Sequence, residues 1–412
     1  MKKNIRYLFG IAVAFIFVAS AVSMDGCKNQ VTSSLYNPSQ EYLPNPVIDS
    51  LSPTGSALAG VDTVTLYGKN FSGNKDSDLV YFIEPGTGTG NQVSNPSIIN
   101  ATSSKLTVKA PALSGDSIQV RVAVIGALLY GTKVYQLIPA ISQFGNLGTT
   151  QAAYGVCAGA DTSLYAAISS NNVDRGVFKV TSAGTNSYAP ATSGLIGWNA
   201  IKFGPGGYLY AVRGNRAVYR FAPGGGTAAQ VWASATSGSL YDMDFDADLN
   251  LWVGGNASSI YRIKQDASVK GFTFSGTVRS LRYYNGYLYF AANVGTAQGK
   301  VYRAPIVSDS LGTPEVYFDL GNDPTGGNNI YAITFSADGN MYAGVDSSDY
   351  LIVVHPGGFI ERPYTLYASS GGLSSPCRSF AWIGINLYAS TLSGQLLQIV
   401  ARKQGTPYYG IQ

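Results

Sequence analysis

One strand shape returns six times in the C-terminal part of the chain, as Leu164-Tyr165-Ala166, Leu209-Tyr210-Ala211, Leu251-Trp252-Val253, Leu288-Tyr289-Phe290, Met341-Tyr342-Ala343 and Leu387-Tyr388-Ala389, at intervals of 45, 42, 37, 53 and 46 residues. Each copy is followed by a second apolar strand, from Val177 to Val180 in the first and from Leu396 to Ile399 in the last. Between strands lie glycine-rich turns such as Gly204-Pro205-Gly206-Gly207, Asn285-Gly286 and Asp338-Gly339, which favour hairpin connections. A period near 45 with about four strands per unit is the signature of a β-propeller. Six copies predict six blades. A propeller left open would expose unpaired sheet edges, so the two ends must meet. Val134 to Ile138, or the tail Pro407 to Ile411, is expected to complete the sixth blade.

No Trp-Asp dipeptide and no double-glycine strand recurs, so the repeats resemble NHL-type and gluconolactonase-type propellers more than WD-repeat or kelch ones. The resemblance spans about residues 150–412, within a propeller expected over 139–412, and speaks for the fold. Propellers of this kind host binding proteins, lactonases, lyases and scaffolds alike.

Ahead of the repeats, residues 45–138 carry short runs of period two, including Ile118, Val120, Val122 and Val124, broken by Gly, Pro and Asn. That pattern argues a small antiparallel sandwich. Ile48 with Leu51-Ser52-Pro53 and Gly55, then Val64 to Phe71, then Ala101-Thr102 before Leu106-Thr107-Val108 and Pro111, resemble the IPT/TIG family of immunoglobulin-like domains. The resemblance implies a spacer or docking module. The fold class is therefore all-β: an Ig-like sandwich followed by a six-bladed propeller.

The first residues read as an address. Lys2, Lys3 and Arg6 precede an apolar run from Tyr7 to Val22, the build of a secretory signal in residues 1–26. Two processing routes stay open: cleavage after Ala21-Val22-Ser23, or a lipoprotein signal with acylation at Cys27. Gly26-Cys27 resembles a lipobox, from which Asp25 departs. A diacylated Cys27 would hold the protein at a bilayer without a spanning helix, and the polar stretch up to Pro44 would serve as a tether over residues 27–44. The expected location is the bacterial cell envelope as a membrane-anchored lipoprotein, or secretion. Charge argues against a nucleic-acid role: Lys+Arg 27 against Asp+Glu 23 gives only +4, too even for a dense basic face, and the sequence has no basic tail.

Aligning the first strands of the six repeats gives rows. Tyr154, Asn199, Tyr241, Arg279, Tyr331 and Arg378 form the first. The second is small apart from one acid: Gly155, Ala200, Asp242, Ser280, Ala332 and Ser379. The third is apolar, the fourth mixed (Cys157, Lys202, Asp244, Arg282, Thr334, Ala381), and the fifth runs from Ala158 and Phe203 to Trp382. Packing between blades accounts for the apolar and aromatic rows. The first row lies at strand entry, where phenols, guanidiniums and an amide could stack on sugars or pair with carboxylate or phosphate. Trp198 is added as a neighbour. The competing account packs the tyrosines between blades and pairs the arginines with Asp242 or Asp244.

The gluconolactonase resemblance implies a divalent cation, most simply Ca2+, held by Glu, Asn and Asp in the channel. Glu315 and Glu361 are the propeller's only glutamates and neither lies on a first strand, which leaves Asn199 and Asp242 as weak metal candidates. A lyase of the streptogramin type would want a channel histidine, whereas the only one, His355, ends a strand before Pro356-Gly357-Gly358. Asp244 to Asn250 and Pro223 to Gly226 read as turns rather than as a Ca2+ loop and a phosphate loop. Cys157 and Cys377 fall four residues apart in the alignment, too far for a disulfide, and read as buried thiols. The expected function is a non-enzymatic binder of a glycan or an envelope protein. A metal-dependent lactonase-like hydrolase and a structural envelope scaffold are the alternatives.

Overall fold

The computed structural model describes residues 41–86, 92–192 and 197–411. The signal segment, Cys27 and the tether up to residue 40 lie outside the described residues. Among the described residues, no helix is long and apolar enough to cross a membrane.

The sandwich has two sheets. One runs Val47–Ser52, Thr63–Lys69, Lys105–Lys109, Ile98–Thr102, and the other Ser56–Ala59, Gly131–Pro139, Gly115–Val124, Asp78–Glu84, Gln92–Ser94. The alternation along Gly115–Val124 buries Ile118, Val120, Val122 and Val124 in a core shared with Val64, Leu66, Leu106 and Val108.

The six first strands of the propeller are Gln151–Ala158, Ala200–Phe203, Ser239–Phe245, the second half of Val269–Tyr284, Ile330–Phe335 and Cys377–Ile383. Each packs against the next, and the sixth returns to the first, so six blades close around one axis. Blades three and four share one continuous sheet, because Val269–Tyr284 carries the outer strand of one directly into the inner strand of the other. Asn285 and Gly286, with φ of 50° and 79°, make the tight turn into Tyr287–Val294.

Ring closure differs from both sequence expectations. Val134 to Ile138 belongs to the sandwich, where Gly131–Pro139 pairs with Gly115–Val124 and, in parallel, with Ser56–Ala59. The tail from Pro407 to Ile411 is not a blade strand either. The next segment, Ile141–Gln143, pairs with Leu396–Val400 as the outermost strand of blade six. Only Ala140 separates the last sandwich strand from the first propeller strand. Its N–H donates to the Tyr367 hydroxyl at 2.6 Å, and that hydroxyl donates to the Ala59 carbonyl at 2.9 Å. Leu58 joins Tyr364, Tyr367 and Leu373 in one apolar cluster, and Arg402 pairs with Asp62 at 2.8 Å. One tyrosine thus ties the sandwich to the short helix Thr365–Ser369.

Blade-to-blade packing follows the predicted rows. Val156, Ile201, Met243, Leu281, Ile333 and Phe380 are all buried, each contributing ~1.5–3 kcal/mol by leaving water. The small row lets the strands approach: a β-carbon on Gly155 would lie 2.8 Å from the Ala200 backbone. Cys157 and Cys377 are buried free thiols, and burial raises the Cys157 thiol to about 12.

Candidate functional site

Strand entry is marked by a repeated irregularity. The register between first and second strands shifts between Ala153 and Val156, Leu240 and Asp242, Val278 and Ser280, Ile330 and Ala332, and Cys377 and Ser379. The residues caught in these bulges include Tyr154, Tyr241, Arg279, Tyr331 and Arg378. Asn199 stands just ahead of its strand, its N–H bonded to the Val212 carbonyl at 2.8 Å. A bulge re-aims the side chain it carries and leaves backbone donors without a partner in the sheet. The preceding blade supplies the missing acceptors. Val156 N–H donates to Ser379 Oγ at 3.1 Å, Ile333 N–H to Ser280 Oγ at 3.1 Å, and Leu281 N–H to Asp242 Oδ2 at 3.0 Å. The second row therefore stitches the ring, while most of the first row sits in the bulges at strand entry.

At the mouth, cations lie on rings. The Arg378 guanidinium is 4.0 Å from the Tyr154 centroid, Arg279 is 5.1 Å from Tyr331, and Arg213 is 4.4 Å from Trp198 and 4.5 Å from Tyr219. Among the described residues none of the three forms an ion pair. Arg279 Nε and Arg213 Nη1 are buried donors with no acceptor. Burial pulls the Arg378 guanidinium below its ordinary range, with the Tyr154 phenol opposing. Gly214 lies between Asn199 and Tyr241, where a β-carbon would sit 3.5 Å from the amide and 4.0 Å from the ring.

Trp198 departs from the expectation of a ligand contact. Its ring is wholly buried against Tyr219 and Phe221, so it supports Arg213 from behind. Arg213 itself is absent from the aligned row because it follows a second strand. The pairing of Asn199 with the end of that strand sets it beside the first row.

The channel has a second feature at strand exit, a chamber of ≈ 360 Å³. Its walls come from the fourth and fifth rows, and its outer wall is the C-terminal tail. Gly405 bridges to Ser336, Thr406 N–H donates to the Phe335 carbonyl at 3.1 Å, the Tyr408 hydroxyl donates to the Phe203 carbonyl, and Tyr409 packs edge-on to Tyr283 at 5.2 Å. The tail thus crosses from blade five to blade two. Gly405 passes so close to Trp382 that a β-carbon would come within 2.1 Å of the indole.

The chamber holds opposite charges in balance. Arg282 pairs with Asp242 at 2.7 Å, and the Asp242 carboxylate also accepts from Ser280 Oγ at 2.8 Å, Leu281 N–H at 3.0 Å and Met243 N–H at 2.9 Å. Lys202 stands 3.6 Å from Asp244 Oδ1 and 5.1 Å from the Tyr408 ring. Asp244 Oδ2 accepts from Tyr283 N–H at 2.9 Å, while Oδ1 receives no hydrogen bond. Burial, then the nearby Arg282, lowers the Lys202 ammonium; burial raises the Asp244 carboxyl, with Lys202 and Arg282 opposing. Both acids are thus paired by Arg282 and Lys202, not by Arg279 or Arg378.

These residues do not fit a Ca2+ site. Asp242 is saturated by its donors and Asn199 lies level with Tyr241, one row away. Among the described residues no group of three His, Cys, Asp or Glu side chains assembles. His355 bonds Glu361 at 2.9 Å on the outer part of blade five, and Asp246 caps its own hairpin through Asp248, Asn250 and Trp252.

Residues 46–137 match the IPT/TIG domain family. No curated protein matches the chain. Solved structures with a similar fold include a structural genomics protein of unknown function from Bacteroides thetaiotaomicron, at 15% identity over 89% of this chain and 99% of that one with a TM-score of 0.48. A gluconolactonase from Xanthomonas campestris is 14% identical over 69% and 90%, with a TM-score of 0.47. A virginiamycin B lyase from Staphylococcus aureus is 15% identical over 82% and 99%, with a TM-score of 0.45.

Proposed function

We propose that the protein is a non-enzymatic binder of the bacterial cell envelope, held there through Cys27 or released, whose strand-entry mouth takes an acidic glycan. One observation carries the reading: Arg213, Arg279 and Arg378 each lie on an aromatic ring and, among the described residues, pair with no carboxylate. A guanidinium without an internal counter-charge is a ready partner for a carboxylate, and the tyrosines beside it offer faces to sugar rings. The Ig-like sandwich, seated on blade six and the helix after blade five, serves as the stand that presents this face.

The test is calorimetric titration of the full chain with polygalacturonate and with a neutral polysaccharide, dextran. The acidic polymer should bind and dextran should not, and binding should weaken as salt rises. The double variant Arg279→Gln/Arg378→Gln should lose most of the heat. Undiminished binding by that variant removes the reading, and Ca2+-dependent hydrolysis of a lactone would replace it with the hydrolase alternative.

A further inference from the structure

The strand-exit chamber is built differently from the mouth, and its chemistry selects a different guest. It is enclosed by the tail, and its volume of ≈ 360 Å³ falls at the small end of the range for ligand pockets. Lys202, Asp244 and Arg282, all more than nine-tenths buried, line it, and Asp242 backs Arg282. Two cations face two carboxylates, so the cluster is neutral as it stands. A guest with net charge would disturb that balance in a site removed from water, and a zwitterion would have to shed the hydration of two full charges.

Two valences remain open. Asp244 Oδ1 has no donor, and among the described residues the Lys202 ammonium has no hydrogen-bond acceptor. At 3.6 Å the two are too far apart to bond each other directly. A hydroxyl placed against both donates to Oδ1 and accepts from Nζ at once. Trp382, Tyr283 and Tyr409 line the same chamber.

We infer that this chamber is a second binding site, for a small neutral polyhydroxylated molecule of about monosaccharide size, walled in by the C-terminal tail. The hydroxyl groups of the guest bridge Lys202 and Asp244, and its carbon skeleton lies on the aromatic wall.

The experiment is saturation-transfer NMR on the full chain with D-glucose and myo-inositol, and with D-glucuronate and glycine as the charged counterparts. At least one of the neutral pair should give a saturable signal, stronger than either charged probe. Replacing both open groups together, Lys202→Met/Asp244→Leu, removes the buried charges as a pair and should weaken that binding about tenfold. Should the double variant fail to fold, Tyr409→Ala keeps the charge cluster intact and should lower affinity about fivefold through loss of one wall. Absence of any neutral signal, tighter binding of glucuronate or glycine, or full binding by either variant overturns the assignment.

Discussion

The two ends of the channel carry the same kinds of residue to opposite effect. At strand exit, Lys202 and Arg282 meet Asp244 and Asp242, and every charge has an opposite inside the protein. At strand entry, Arg213, Arg279 and Arg378 lie on tyrosines and a tryptophan and, among the described residues, form no ion pair. The first arrangement balances its charge within the protein. The second leaves a positive surplus that something outside must answer. The difference teaches that an arginine's role is read from what faces it, not from its place on a strand, since Arg279 and Arg282 lie three residues apart on the same strand.

The contrast can be broken most sharply at Lys202. Lys202→Met strands Asp244 and should cost ~3–5 kcal/mol, read as a lower urea midpoint at pH 7, while Lys202→Met/Asp244→Leu should recover most of the loss. Equal midpoints for the two variants would show that the pair is not coupled. The single variant also carries a pH signature. Burial already raises the Asp244 carboxyl, and removing the opposing Lys202 raises it further. The native state then holds that proton more firmly than the unfolded chain. The extra cost is therefore absent below the unfolded carboxylate value of about 4 and complete once pH passes the folded value. The deficit of the variant against the parent should be smaller at pH 4 than at pH 7.

Ser280→Ala probes the stitching between blades. It strands the Ile333 N–H and one Asp242 acceptor position, and should cost ~1–3 kcal/mol in thermal unfolding. The smallest stability effect is expected at the mouth. Arg378→Gln removes one ring contact and no ion pair, worth about 1 kcal/mol. Its effect on acidic-glycan binding should be far larger than its effect on melting temperature. A loss at Arg378 comparable to that at Lys202 would erase the distinction between the ends.

Much of this architecture was legible in the sequence because it rests on local pairings. The Leu-Tyr-Ala strands, their glycine turns and the aligned rows all follow from alternation within a few dozen residues. The bulges were not legible, since an extra residue in a strand does not alter composition, yet they are what turns the first row toward the mouth. The fourth row showed its charges, but that Arg282 pairs with Asp242, forty positions earlier, depends on which blades adjoin. Closure was misread for a related reason. Ile141–Gln143 has only three residues and no period to detect, whereas Pro407 to Ile411 has the look of a strand and instead packs across the chamber.

That clasp between residues 141–143 and 396–400 has a bearing on how the chain comes to be folded. The circle cannot be sealed until the last blade has emerged from the ribosome, more than 250 positions after its partner. During that interval the earlier blades must wait with a bare flank, and contacts so distant along the chain form slowly. A polypeptide that stays unsealed until its final segment arrives remains threadable for almost the whole of its synthesis.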